Sequence, residues 1–549
     1  MAATLASLAL VALSACSSED PTGPGGGGNG GSGGTGGSAP ECPSSVTPAP
    51  GTVITDRGAV TGQKAGETWA WKGIPYAAPP VGELRFRPPT DHACWEGALS
   101  ALEYGDKCLQ LDGSGEAEGS EDCLTLNVWA PASATATAKL PVLFFVHGGG
   151  NVQGSASELT PSGQSTYDGQ ALAEQQGAMV VTIQYRLQAA GWLSLPALDA
   201  ESDHASSGNY AMLDQIAALS WVQRNVAAFG GDPSRVLLFG ESAGAVNTCA
   251  LLSSPLAKGL FSAALMESGG CIAASRAATQ EFGQTLVKAA GCAGSTDVAA
   301  CLRALPAEAL VKAVPVEIDI AAAATSGFGP SVDGWVLPLA PLDALGQGKH
   351  NHVPFIVGVN SEETGKSVPP MDEAAFHQAV LAMAGGSATL AAAVEAQYPL
   401  EDYASARAAY VALTSDVKFV CGARRAARAA AGGQSEAVYR YYFTHAIDNG
   451  SVATKAFGAF HGLELLFVFN HLTEGGYTPS SGEAALALAM GGYWRRFADK
   501  GDPSGDGAAS WPLYDAAKDT YLRLDNTIVA GEGIRTAQCD FWDTLLSTM

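Results

Sequence analysis

The stretch Arg235-Val236-Leu237-Leu238-Phe239-Gly240-Glu241-Ser242-Ala243-Gly244, running on into Ala245–Leu252, decides how the rest of the chain is read. Arg235–Phe239 is a short apolar run suited to a buried parallel strand, and Ala245–Leu252 is an apolar, helix-like stretch. Between them stands the pattern G-x-S-x-G. That pattern is weak alone in a chain with 66 glycines, and the strand before it and helix after it give it meaning. Strand, tight turn and helix in direct succession lift the hydroxyl of Ser242 onto an exposed elbow at the carboxyl edge of a sheet. Gly240 and Gly244 are needed there because the turn is strained and neighbouring backbones approach closely.

Working outward, Leu140–Val146, Met179–Tyr185, Ala263–Met266 and Val353–Val359 are further short apolar runs that read as buried strands. Helix-length amphipathic segments such as Tyr210–Phe229 and Thr279–Ala290 lie between them. The alternation predicts an α/β fold: a large, mostly parallel central sheet with helices on both faces. Residues 370–435 are Ala-rich, helical in pattern and free of strand signals, as for a helical cap or insertion over one end of the sheet. From residue 42 to 549 no linker or repeat interrupts the chain, so one domain is expected. His147-Gly148-Gly149-Gly150 also follows a strand directly. Consecutive glycines there let the amides of Gly149 and Gly150 point inward to meet the amide of Ala243, forming an oxyanion hole. Losing one such donor typically costs about 3–4 kcal/mol of barrier. His147 itself reads as a loop-packing residue.

The composition narrows the function. Against 30 Lys+Arg stand 54 Asp+Glu, a net charge of −24, a field that repels phosphate backbones and excludes nucleic acid as a partner. Hydrophobic residues make up 47% and charged residues 15%, enough for a sizeable core. Residues 3–13 form an apolar run too short to span a bilayer and suited to a secretory signal, although no Lys or Arg precedes it. Leu13-Ser14-Ala15-Cys16 closes that segment and resembles the bacterial lipoprotein signal, in which the cysteine is lipidated. The expected division is therefore 1–16 signal, 17–41 Gly/Ser-rich tether and 42–549 folded domain. A coil of the tether's length reaches roughly 25–30 Å. The only membrane contact expected is through a lipid on Cys16, with the protein exported to the bacterial cell envelope or secreted. Eleven cysteines less Cys16 leave ten, an even number, as disulfides in an oxidising compartment require. No cysteine pattern or other ligand cluster for a metal is visible, and no metal or cofactor is expected.

Taken with Phe229-Gly230-Gly231-Asp232-Pro233, Glu121-Asp122-Cys123-Leu124-Thr125-Leu126-Asn127-Val128, Gly73-Ile74-Pro75-Tyr76-Ala77 and Arg85-Phe86-Arg87-Pro88-Pro89, these motifs resemble the type-B carboxylesterase (cholinesterase-like) family of α/β-hydrolases. The resemblance runs in order from about residue 50 to 545 and is closest in character to bacterial carboxylesterases. It implies an acid in Gly358-Val359-Asn360-Ser361-Glu362-Glu363-Thr364, at Glu363, and a base in Phe460-His461-Gly462-Leu463-Glu464, at His461. The chain order Ser…Glu…His is that of α/β-hydrolases. The activity implied is hydrolysis of carboxylic esters, without a cofactor. His461 takes the proton of Ser242 and returns it to the departing alcohol, while Glu363 holds the imidazole tautomer. Activity is then expected to fall as pH drops through the histidine pKa, about 6.5 when unperturbed.

The same resemblance implies the disulfides Cys108–Cys123, Cys292–Cys301 and Cys421–Cys539. Cys42, Cys94, Cys249 and Cys271 remain, with three connectivities, of which Cys42–Cys94 with Cys249–Cys271 is the one expected. In cholinesterases the loop closed by the first disulfide carries a tryptophan that binds choline. Here residues 109–122 hold no aromatic and instead carry Asp112, Glu116, Glu118, Glu121 and Asp122, read as a solvated loop in preference to a cation-attracting rim. Acetylcholine is therefore not the expected substrate; short-chain or aryl esters are. The competing readings are a hydrolase of amides, carbamates or polyesters, and a non-catalytic binding protein of the same fold.

Overall fold

The structure, a computed structural model, describes residues 42, 46–47, 49–159, 163, 165–316, 320–321 and 327–547. The apolar leader, Cys16 and the tether to residue 41 lie outside the described residues.

Eleven strands make one sheet. In chain order they are β1 (Gln63–Ala65), β2 (Thr68–Pro75), β3 (Thr125–Pro131), β4 (Leu140–Val146), β5 (Met179–Ile183), β6 (Gly231–Glu241), β7 (Ala263–Glu267), β8 (Phe355–Asn360), β9 (Val438–Phe443), β10 (Thr520–Leu524) and β11 (Val529–Glu532). Their spatial order is β11-β10-β9-β8-β7-β6-β4-β5-β3-β2-β1. Every neighbouring pair from β10 to β5 is parallel. The pairs β5–β3, β3–β2, β2–β1 and β10–β11 are antiparallel. The parallel centre is thus the part that the apolar runs anticipate. The strand expected at Met179–Tyr185 ends at Ile183, and the helix expected over Thr279–Ala290 spans Arg276–Ala289.

Continuous apolar runs fill the central strands because both faces are covered. Val142, Phe144, Val146, Val236 and Leu238 face one layer, where they meet Leu219, Trp221 and Val222 of the helix Tyr210–Asn225 and Leu251 of the helix Ala243–Ser253. Leu143, Phe145, Leu237 and Phe239, the alternate residues of the same strands, face the other layer and meet Leu486, Met490, Trp494 and Phe497 of the helix Ser481–Lys500.

Residues 370–435 form helices as their pattern predicts: Glu373–Met383, Ala388–Glu395, Ala406–Ser415 and Cys421–Gly433. The last two are joined by a π-helical turn, Asp416–Val420. This region meets the sheet just beyond the carboxyl end of β8, where the Thr364 and Thr414 hydroxyls hydrogen-bond at 2.6 Å. The disulfides are Cys42–Cys94, Cys108–Cys123, Cys249–Cys271, Cys292–Cys301 and Cys421–Cys539.

The acidic loop lies largely in solvent, as expected. It folds as a hairpin of Gln110–Leu111 with Ala117–Glu118, and Glu116, Glu118 and Glu121 pair with Lys312, Lys107 and Arg85. Those acids are held by neighbouring cations and do not form an unpaired rim.

At Gly244 a Cβ would stand 2.0 Å from the Val146 carbonyl oxygen, a backbone atom that cannot move aside. Gly244→Ala is expected to destabilise the fold by about 1–3 kcal/mol or more, read as a fall in thermal midpoint by circular dichroism, with oxidised disulfides kept constant.

Candidate active site

The strand β6 ends at Glu241, and Ser242 takes φ 57° and ψ −119° before the helix Ala243–Ser253 begins. A non-glycine residue holds such a conformation only where its surroundings over-determine it. Here the Ser242 amide donates to the Glu267 carbonyl at 2.9 Å, and its own carbonyl accepts from the amides of Ala245 and Val246. Gly240 and Gly244 permit the close turn: a Cβ at Gly240 would meet Gly244 backbone atoms at 2.6 Å. The amide of Ala243 lies in the helix's first turn, where N–H groups have no intrahelical acceptor and the helix dipole favours negative charge.

The glycine loop after β4 lies against this turn. A Cβ at Gly148 would meet Glu241 Oε2 at 2.7 Å and the Ser242 Cβ at 3.0 Å. Gly149 and Gly150 both have positive φ, 99° and 63°, and the Gly149 carbonyl accepts from the amides of Val152 and Gln153. Asn247 of the elbow helix donates to Asn151 Oδ1 at 3.0 Å, fastening the loop to the helix. His147 is buried, stacks on Tyr185 at 4.4 Å and donates from Nδ1 to Gly148 O. Burial lowers its pKa to about 4, so it stays neutral and packs as its sequence context suggests.

Glu363 lies just beyond β8, buried, with Oε1 accepting from the Asn360 amide at 2.8 Å. Its Oε2 accepts from His461 Nδ1 at 2.7 Å, and its carbonyl accepts from the His461 amide at 3.0 Å. The adjacent Glu362 turns elsewhere and accepts from the Ala459 amide. The Nδ1 contact fixes the proton there and leaves Nε2 as the basic nitrogen. Nε2 is buried without a hydrogen-bond partner, with Glu241 Oε1 3.1 Å away. The structure therefore joins His461 to Glu363 but forms no hydrogen bond from His461 to Ser242. Catalytic contacts of this kind commonly tighten only when substrate is bound. Phe419, from the π-helical turn, packs its ring 4.9 Å from the imidazole.

The sequence reading leaves out a group of buried acids behind this pair. Glu241, Glu267 and Glu464 are all buried. Glu464 accepts from the Ser268 hydroxyl at 3.3 Å and from the Asn360 side chain. Glu267 accepts from Trp494 Nε1 at 2.6 Å. Burial raises Glu241 to about 7 against the opposing pull of His461, and raises Glu464 to about 8 with Glu241 and Glu363 adding to it. Glu267 is held well above the carboxylate range, chiefly by burial. Burial would push His461 down, yet the carboxylates of Glu241 and Glu363 outweigh it and lift the imidazole to about 9. The ordinary value near 6.5 expected from sequence is therefore corrected upward. Glu241 and Glu464 carry a weak sequence signal, next to Ser242 and three residues after His461; Phe419 carries none.

A strained serine at a helix N-terminus, glycine amides beside it and a histidine held by a buried glutamate are together the parts of a serine hydrolase on an α/β-hydrolase sheet. A description of the carboxylesterase family matches residues 49–542. The chain belongs to the carboxylesterase family. It is 35% identical over 531 residues to a protein named fatty acyl-CoA hydrolase precursor, medium chain, from Anas platyrhynchos, covering 89% of this chain and 91% of that relative. It is 35% identical over 499 residues to the fumonisin B1 esterase of Sphingopyxis macrogoltabida, covering 87% of each. Among solved structures, a PNB esterase superposes with a TM-score of 0.76 at 31% identity, covering 90% of this chain and 100% of the other. This carboxylesterase is thus a serine hydrolase of carboxylic esters with the α/β-hydrolase fold. Its five disulfides fit an exported protein, and among the described residues no helix is long and apolar enough to cross a membrane.

The base of such an esterase must be neutral, so a histidine pKa raised above 6.5 moves the acid limb of kcat/KM to higher pH. Removing the Glu241 charge takes away part of that lift. Glu241→Gln is expected to shift the acid limb downward in pH, measured as the pH profile of kcat/KM with an uncharged aryl ester; an unmoved limb contradicts the assignment.

Proposed function

We propose that Ser242 is the nucleophile, His461 the general base and Glu363 the orienting acid of a carboxylesterase acting on small, uncharged short-chain or aryl esters. The observation that supports this most directly is the 2.7 Å bond from His461 Nδ1 to Glu363, beside a serine held at φ 57°. Ser242 Oγ attacks the ester carbonyl as His461 Nε2 takes its proton. The tetrahedral oxyanion is received by the amides of Gly149, Gly150 and Ala243. Collapse expels the alcohol, protonated by His461, and leaves an acyl-enzyme on Ser242. Water activated by the same histidine then releases the carboxylic acid. Glu363 orients the imidazole and stabilises the imidazolium.

The preference for uncharged esters is supported by the net charge of −24, a field that disfavours an anionic acyl group. The partner is a small-molecule ester. Attachment to a membrane, in this reading, is through a lipid on Cys16 alone, with the tether to residue 41 holding the folded part off the surface.

The test is turnover of p-nitrophenyl acetate, butyrate and octanoate by the protein from residue 42 onward, beside Ser242→Ala. Acetate and butyrate are expected to turn over faster than octanoate. Ser242→Ala is expected to lose about 10³-fold or more of kcat. A correctly folded Ser242→Ala enzyme with undiminished turnover contradicts the nucleophile.

A further inference from the structure

Ser242 and Glu363 follow the carboxyl ends of β6 and β8. At the opposite edge of the same sheet, just before the parallel strands β7 and β8 begin, a cleft of about 630 Å³ opens to solvent. Two short segments line it, 253–261 and 349–353, among them Pro255, Phe261, Lys258, Lys349, His350 and His352. The first segment begins where the elbow helix Ala243–Ser253 ends. That helix has 11 residues, so at 1.5 Å per residue the cleft lies about 16 Å from Ser242. Asn351 fastens the two segments together. Its amide donates to the Leu252 carbonyl at 2.8 Å, and its side chain donates to the carbonyls of Leu251 and Ser254.

The charge of this cleft runs against that of the chain. Acids outnumber Lys and Arg by 54 to 30 overall, yet no Asp or Glu lines the cleft, while two lysines do. Both ammoniums, of Lys258 and Lys349, are exposed, and among the described residues neither makes a hydrogen bond or an ion pair. The backbone amides of Gly259, His350 and His352 likewise have no acceptor there. A helix carboxyl end favours nearby cations, but the carbonyls of Leu251 and Leu252 are already taken by Asn351, and neither lysine is needed as a cap. The two imidazoles are engaged and serve as wall. His350 Nε2 meets Gln434 Oε1 at 2.8 Å, His352 Nε2 meets the Gly348 carbonyl at 3.0 Å, and Glu436 lies 3.7 Å from His352 Nδ1.

We propose that this cleft binds a small organic carboxylate, with the anion held by Lys258 and Lys349 and the apolar body against Pro255 and Phe261. Its volume falls within the range of about 300–1,000 Å³ in which small-molecule sites lie. An ionised carboxylate only accepts hydrogen bonds, and free ammoniums and backbone amides only donate them. Inorganic phosphate would satisfy the cations and leave the apolar wall without a partner; a neutral amide would do the reverse. The ligand touches only the far end of the elbow helix, so it does not compete with an ester at Ser242. In the reaction proposed above the acid released from Ser242 belongs to the same chemical class, but binding in the cleft does not depend on that reaction.

The test titrates the full chain, disulfides intact and ionic strength constant, with sodium benzoate. The ring resonances of His350 and His352, assigned with His350→Gln and His352→Gln, report on the cleft itself. A saturable shift is expected, with a dissociation constant of about 1 mM or lower. Lys258→Gln and Lys349→Gln are each expected to weaken binding about threefold to fivefold, and the double variant about tenfold or more, with turnover of p-nitrophenyl acetate unchanged. Benzamide, which keeps the ring without the charge, and inorganic phosphate, which keeps charge without the ring, are each expected to bind at least about tenfold more weakly than benzoate. Histidine resonances that do not move overturn the proposal. So does an unchanged affinity in the double variant, or benzamide or phosphate binding as tightly as benzoate. Ester turnover is scored separately, so its absence counts against the esterase and not against the cleft.

Discussion

The helix after Ser242 approaches strand β4 so closely that only a hydrogen atom fits at Gly244, beneath the Val146 carbonyl. Most of the active-site geometry descends from that contact. The chain must reverse direction between β6 and its helix in one residue, and Ser242 absorbs the reversal in its backbone. Ser242 thereby stands alone between the carboxyl end of β6 and the start of the helix. The same closeness brings the helix's first amides beside the loop at Gly148–Gly150. Strain at one residue is tolerable because both neighbouring strands hold it: β7 receives the Ser242 amide, and β4 walls the turn.

Electrostatics imposes the second constraint. Three buried glutamates, at positions 241, 363 and 464, act on a single imidazole, and a fourth, Glu267, acts on two of them. They cannot all be ionised in so dry a place, and the proton distribution follows their partners. Glu363 receives N–H donors from His461 and Asn360. Glu267 has one indole donor and is driven toward the neutral form by burial. Between them Glu241 and Glu464 are pushed up together, so the histidine sits in a field that favours its protonated state. In the proposed mechanism such a field stabilises the imidazolium formed during attack, while keeping more of the resting histidine protonated.

Much of this was legible in the sequence, for physical reasons. Strands β4 to β8 are covered on both faces, so their apolar runs stand out without any alternation, and the glycines at 240, 244 and 148–150 mark places where backbones touch. Strands β2 and β3 are antiparallel and lie inside segments noticed only as family motifs; Thr68-Trp69-Ala70-Trp71-Lys72-Gly73 mixes polar and apolar residues too freely to announce a strand. His461 and Glu363 lie 98 residues apart in sequence, and only the resemblance to a family pairs them; the fold supplies the contact. The buried acids were harder still. Burial of Glu267 depends on Trp494 from a helix 227 residues away. No local pattern encodes such a meeting.

The disulfide Cys421–Cys539 spans 118 residues, and His461 lies inside that span while Ser242 and Glu363 lie outside it. The loop holding His461 is consequently a closed ring, returned by covalent bonds to the body of the protein at both ends. A protease that cuts the exposed turn around Val452 produces two chains on a reducing gel but one molecule in solution. In an environment rich in extracellular proteases, this arrangement lets the enzyme be cut there without shedding its histidine.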